Sequence, residues 1–170
     1  IPPDRFDGPI LVPFSPESEL SGVQRALKPT EALWYRRYLE APLGFDANAE
    51  DLLLHFGAVD QFAEVRLNGM TLANHAGGYL PFSVSLTEYL MPGGGNELVV
   101  RVRDETDTGA WSRGKQSSTP GGIWYTPQSG IWQTVWLERA PKRRIESLRI
   151  TPLYDRAEVE IVVSTNCNGS

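Results

Sequence analysis

Apolar residues recur at every second position of this chain, in short runs that glycine and proline keep interrupting. Leu33, Tyr35, Arg37 and Leu39 alternate with Trp34, Arg36 and Tyr38; Leu52, Leu54 and Phe56 share one face of the next run, with His55 on the opposite face. The same period governs Ala63, Val65 and Leu67, then Phe82, Val84 and Leu86, then Leu98, Val100 and Val102. A period of two is the signature of a strand with one packed face. Asn68-Gly69, after the third run, is a dipeptide whose two positions tolerate positive φ, so it predicts a tight hairpin turn. Pro92-Gly93-Gly94-Gly95-Asn96 turns the chain again. No segment sustains an apolar stripe of helical period for three turns, and Ser85 to Leu90 offers at most a turn or two of helix. Many short strands with such connections predict an all-β protein, an antiparallel sandwich or barrel.

Gly130-Ile131-Trp132-Gln133-Thr134-Val135-Trp136-Leu137-Glu138 reads as a further strand, with Trp132, Thr134, Trp136 and Glu138 on one face and Ile131, Val135 and Leu137 on the other. Upstream stand Gly114-Lys115-Gln116 and Ile123-Trp124-Tyr125, so three of the five tryptophans fall within one short segment. Indole rings beside polar loops can stack on sugars, and they also fill cores. Residue chemistry favours the core role.

Net charge is −5, which argues against a nucleic-acid partner or an anionic membrane surface. No apolar stretch nears the roughly 20 residues that span a bilayer, and no signal-peptide pattern opens the chain. The compartment is open, with the cytoplasm slightly favoured and a removed N-terminus an alternative. Cys167 is the only cysteine, which excludes an internal disulfide and a CxxC metal site. His55 and His75 stand far apart without metal-ligand spacing, so structural roles are expected and neither metal nor cofactor is predicted.

Residues 1–29, proline-rich and aperiodic, should wrap the sandwich as irregular chain with at most an edge strand. After Pro141-Lys142-Arg143-Arg144, the runs Ile145 to Ile150 and Glu158 to Val163 read as two strands joined around Pro152-Leu153-Tyr154-Asp155. Two strands cannot enclose a core. Residues 142–170 are accordingly expected to open a second β domain, with residues 30–141 forming the first.

Several pieces, in order, carry a family resemblance: Trp34-Tyr35-Arg36-Arg37, Phe56-Gly57-Ala58-Val59-Asp60, Val65-Arg66-Leu67-Asn68-Gly69, His75 to Phe82, Asn96 to Val102 and Ser129 to Glu138. Together they resemble the N-terminal sugar-binding domain of family 2 of the glycoside hydrolases, the β-galactosidase and β-glucuronidase family. The resemblance implies an antiparallel jelly-roll β-sandwich of the galactose-binding type, then an immunoglobulin-like sandwich whose first strands are residues 142–170, then a (β/α)8 barrel. It implies that the parent is a retaining glycosidase, most like a β-galactosidase, whose catalytic glutamates sit on the barrel. This chain would then hold no catalytic residue. Its partners would be the carbohydrate substrate and the barrel, with a homo-oligomeric parent also compatible.

The resemblance also singles out substrate-binding candidates. Asp104 ends the strand at Arg103 and opens a long loop; in the family an aspartate there reaches the barrel mouth and accepts sugar hydroxyls, with Asp107 as the alternative. Charge-assisted bonds of that kind are strong. Equally, Asp104-Glu105-Thr106-Asp107 could be an aspartate capping its own turn. Lys115 and Gln116 could touch the sugar or seal the barrel interface. Gly77-Gly78-Tyr79 could shape a loop over ligand, although a tight backbone turn is the commoner use of such glycines. Two other classes stay open beside the glycosidase accessory domain: a free-standing carbohydrate-binding module and a purely structural or oligomerising sandwich.

Overall fold

The computed structural model describes residues 1–91 and 93–167; Pro92, in the turn expected before Asn96, and residues 168–170 of the expected second domain lie outside them. Eleven strands follow one another among the described residues: β1 (Leu33–Leu39), β2 (Glu50–Phe56), β3 (Val59–Asp60), β4 (Phe62–Leu67), β5 (Met70–Ala76), β6 (Phe82–Ser85), β7 (Asn96–Arg103), β8 (Gly130–Ile131), β9 (Val135–Pro141), β10 (Ile145–Leu153) and β11 (Glu158–Thr165). Among the described residues helix is confined to single 3-10 turns at Glu19–Ser21, Thr87–Tyr89 and Tyr154–Arg156.

Two antiparallel sheets form the body. One is ordered β1-β7-β4-β5 and the other β6-β2-β9, with β3 and β8 pairing beside them. Alternation decides what lies between them. Tyr35, Leu39, Ala63, Val65, Leu67, Leu98, Val100 and Val102 from the first sheet meet Leu52, Leu54, Phe56 and Val84 from the second in one buried cluster. The result is a β-sandwich. The turn between β4 and β5 has Asn68 at φ 52° and Gly69 at φ 81°, as the dipeptide predicts. Asn68 also donates through Nδ2 to the buried Asn96 side chain (2.9 Å) and accepts at Oδ1 from the Glu97 amide (3.0 Å), fastening the turn to β7.

The run expected as one strand from Ile131 to Leu137 is divided. β8 ends at Ile131 and β9 begins at Val135, opposite the break between β2 and β3 at Gly57-Ala58. The Gly57 amide donates to the Thr134 carbonyl (2.9 Å), and a Cβ on Gly57 would stand 2.7 Å from the Gln133 Cβ. Only glycine lets the two backbones approach so closely. The irregularity takes Trp132 out of the alternation that Trp136 keeps.

Residues 1–32 are irregular apart from the first 3-10 turn and contain no edge strand. β10 and β11 pair only with each other in the sheet topology, and both faces are largely exposed, including Ile145, Leu148, Ile150, Val159, Ile161 and Val163. Lys142 (2.7 Å) and Arg144 (2.6 Å) ion-pair with Asp51 of β2, tying the base of this hairpin to the sandwich. The ladder extends through Leu153, so the turn falls at residues 154–157, with Ala157 left-handed at φ 50°.

Candidate functional site

The long connection from β7 to β8, residues 104–129, folds back over the ends of β3 and β8 and meets the N-terminal segment there. Glu17 accepts from the Ser129 hydroxyl (2.5 Å) and amide (3.1 Å), and the Ser15 hydroxyl donates to the Gln128 side chain (2.5 Å). Tyr35 Oη accepts from the Ile131 amide (3.1 Å), and Gly130, at φ 76°, packs so closely on that hydroxyl that a Cβ would collide with it. Burial raises the Tyr35 phenol far above its ordinary value, overriding the Ile131 hydrogen bond, so it stays neutral.

Asp104 lies in this corner, only 2% exposed. Its Oδ1 accepts from the Thr106 amide (2.6 Å), an Asx turn that holds Thr106 at φ 49°. Its Oδ2 is buried without a hydrogen-bond partner. Burial, ahead of the Thr106 bond that opposes it, raises the Asp104 carboxyl above its ordinary value.

Beside it stands Asp60, 5% exposed, at the end of β3 and paired in register with Gly130. Nothing in the local sequence marks Asp60 beyond its place at the close of the Phe56-to-Asp60 motif. Burial first, and then the charge of Asp104, push its carboxyl up to about 7, against a hydrogen bond from Gln116. Its Oδ1 has no partner and lies against Gly78, where any Cβ would collide with the carboxylate. The Gly78 carbonyl accepts from Trp132 Nε1 (2.8 Å), and Tyr79 meets the Trp132 ring edge-on at 6.4 Å. Those glycines therefore serve close approach as well as a turn.

Gln116 links the parts. Its side chain works against the rise of both the Asp60 carboxyl and the Tyr79 phenol, and its Oε1 accepts from the Gln128 amide (2.6 Å). Lys115 uses its carbonyl to accept from the Tyr125 amide (2.8 Å), while its side chain is exposed. Asp107 belongs to a different contact. Its Oδ2 accepts from the Ser118 amide (2.9 Å) and the Ser117 (3.0 Å) and Ser118 (3.1 Å) hydroxyls, and these bonds, the amide first, hold its carboxyl low. The fold thus brings Asp104 and Gln116 to Asp60, turns Lys115 to solvent, and spends Asp107 on the loop itself.

Exposed aromatic surface accompanies the cluster. Tyr79, Trp111, Trp124 and Tyr125 are each between 43% and 68% exposed. The buried carboxylates are closed to any reactant in this arrangement, whereas Gln116, Lys115 and the aromatics are reachable. The two histidines sit elsewhere. His55 contacts Ser83 (2.6 Å) and Glu138 (2.8 Å) on the outer face of β2, and His75 stacks on Phe82 at 4.1 Å.

A two-sheet antiparallel sandwich whose polar cluster and long loop are gathered at one end defines the class of galactose-binding-like β-sandwich domains. The chain belongs to glycoside hydrolase family 2: residues 13–133 match the family described as glycosyl hydrolase 2 galactose-binding domain-like. A β-glucuronidase of Formosa agariphila is 29% identical over 133 residues, covering 74% of this chain and 12% of that protein. A β-galactosidase of Thermoanaerobacter pseudethanolicus is 30% identical over 107 residues, covering 62% of this chain and 13% of that protein. Among solved structures, a Faecalibacterium prausnitzii β-glucuronidase superposes with a TM-score of 0.66 at 26% identity, covering 93% of this chain and 30% of that one. The chain spans 12–13% of the length of these two curated relatives.

Proposed function

We propose that this chain is the non-catalytic accessory domain of a retaining β-glycosidase, and that its loop cluster completes the sugar pocket of a barrel domain in the parent. The observation that carries this reading is the place of Gln116, whose side chain bears on both the carboxyl of the buried Asp60 and the phenol of the exposed Tyr79 and follows the exposed Lys115 in the loop. Retaining hydrolysis needs two carboxyl groups roughly 5 Å apart that reach the glycosidic bond. The family resemblance assigns the acid/base and the nucleophile to the barrel, and the burial of Asp60 and Asp104 suits a supporting role for this domain. In this reading Lys115 and Gln116 meet sugar hydroxyls. Asp104 acts through the loop it caps, and Asp107 does the same. Residues 142–167 form the opening hairpin of an immunoglobulin-like sandwich, which suits their exposed apolar faces. The relatives' names support a β-glycoside substrate, a glucuronide or a galactoside.

The test uses the full-length parent with nitrophenyl β-glucuronide and β-galactoside. Gln116→Ala should raise KM by roughly 2- to 13-fold, the loss of one neutral hydrogen bond of about 0.5–1.5 kcal/mol. The 170-residue chain alone should hydrolyse neither compound. Unchanged KM in both Gln116→Ala and Lys115→Ala, or turnover by the chain alone that follows one of its own carboxylates, overturns the reading.

A further inference from the structure

The outer face of the β1-β7-β4-β5 sheet, bordering the start of the long loop, carries a groove of about 270 Å³ running along β4. Its origin is in the register. Arg101 of β7, Glu64 of β4 and Asn74 of β5 form one cross-strand row, and Arg103, Phe62 and Ala76 form the next. Arginines wall one side, the short Asn74 and Ala76 leave the other side low, and Phe62 and Glu64 make the floor.

Charge in the groove is unbalanced. Glu64 is committed, since Arg66 and the Thr71 hydroxyl both donate to its Oε1. Burial would raise its carboxyl, but those bonds, aided by the charges of Arg66 and Arg101, hold it low and ionised. Among the described residues no carboxylate lies within ion-pair distance of Arg101, and Arg103 reaches only Glu105 at 3.7 Å. Each guanidinium lies over an aromatic ring, Arg101 over Trp34 (5.7 Å) and Arg103 over Phe62 (6.0 Å), which restrains both. Two residues apart on one strand face, they are spaced roughly 7 Å. Such a site on a chain of net charge −5 is a local exception to its overall field. Trp111, 43% exposed and edge-on to Phe62 at 5.2 Å, extends the apolar floor.

We propose that this groove is a second saccharide subsite that takes an anionic sugar ring, its carboxylate or sulfate clamped by Arg101 and Arg103 over the Phe62 floor. Planar guanidinium groups suit oxyanions with paired oxygens. The Asn74 amide and the Glu64 Oε2, which accepts no hydrogen bond among the described residues, would meet ring hydroxyls. The proposal rests on the glycosidase reading only for the choice of a sugar as ligand, and its test needs no catalysis.

The probes are a β-linked glucuronic acid disaccharide, its neutral methyl ester, and a sulfated disaccharide of the same length, titrated into the 170-residue chain and followed by NMR at the arginine Nε–H and Asn74 amide groups. The free acid should bind at least about 5-fold more tightly than the ester, with the preference shrinking at 0.5 M salt. Arg101→Gln/Arg103→Gln should weaken the acid at least about 10-fold while leaving ester binding in place, as expected for a charge-assisted clamp. Arg103→Gln alone should give an intermediate loss and covers the case in which the double variant does not fold. Uronate binding identifies the carboxylate as the anion, and binding of the sulfated probe alone identifies sulfate; either supports the subsite. No shift with any of the three probes at 20 mM, equal affinity for acid and ester when the sulfated probe binds no better than the ester, or a chain dimer in sedimentation that the arginine variants dissolve overturns it. If Gln116→Ala still raises KM in the parent, only the groove has failed.

Discussion

Asp60 and Asp104 bring their carboxylates into one buried corner, and each keeps an oxygen, Oδ1 of Asp60 and Oδ2 of Asp104, without a hydrogen-bond partner. Buried carboxylates without compensating donors are costly when both are ionised. Here the cost falls first on Asp60, whose carboxyl is pushed up to about 7. The loop cluster is therefore electrostatically strained near neutrality, at the place where the parent is proposed to meet sugar.

That strain sets a pH dependence. A carboxyl whose folded pKa lies above its unfolded value contributes most stability below the unfolded value, near 4, and loses that contribution as pH rises through about 7. Carboxylates held low, such as Asp51 beside Lys142 and Arg144, work the other way but are fully ionised by pH 5. Thermal melts should fall by several degrees between pH 5 and pH 8 for the wild type, and much less for Asp60→Asn. A wild-type melting temperature flat across that window would remove the basis of the argument.

Replacements at Asp104 should separate its two oxygens. Asp104→Asn keeps an acceptor for the Thr106 amide and removes the charge facing Asp60, so the domain should gain stability at pH 8. Asp104→Ala leaves that buried amide unpaired, at about 1–3 kcal/mol. Chemical denaturation of both variants checks the order, and an asparagine variant weaker than wild type at pH 8 contradicts it.

Gly78 is required by the Asp60 carboxylate. Gly78→Ala should cost about 1–3 kcal/mol through the clash of its Cβ with that group. Adding Asp60→Ala should recover part of the loss, because the colliding atoms are then gone. A double-mutant cycle showing no coupling would place the cost of Gly78→Ala elsewhere.

Tyr35→Phe should cost about 1–3 kcal/mol, since the Ile131 amide then loses its acceptor in a buried position. Hydrogen exchange at Ile131 should accelerate in the variant more than exchange at Leu54, in β2 of the opposite sheet of the same core. Equal exchange at the two amides would assign the loss to global unfolding.

Period-two alternation determined most of the fold. It placed the core faces of β1, β2, β4, β6 and β7, because a strand with one packed face must repeat every second residue. Asn68-Gly69 determined its turn for an equally local reason: positive φ at two successive positions. Asp104 and Gln116 were legible as candidates through their motifs, and the capping alternative for Asp104 was legible in Asp104-Glu105-Thr106.

Tertiary structure decided the rest. Asp60 looked like an ordinary strand end. Its raised carboxyl comes from burial, with Gly78 packed against it, and from the charge of Asp104, while Gln116 opposes them; these residues lie 18, 44 and 56 positions further along the chain, and no local pattern records such distances. The division of β8 from β9 needed the approach of Gly57 to Gln133 across the sheet. The arginine-walled groove needed the register of β4 with both neighbours, since alternation says which face a residue takes but not what stands beside it. Burial and cross-strand neighbours are properties of the assembled sheets, so the electrostatics of Asp60, Asp104, Arg101 and Arg103 exist only once those sheets have packed.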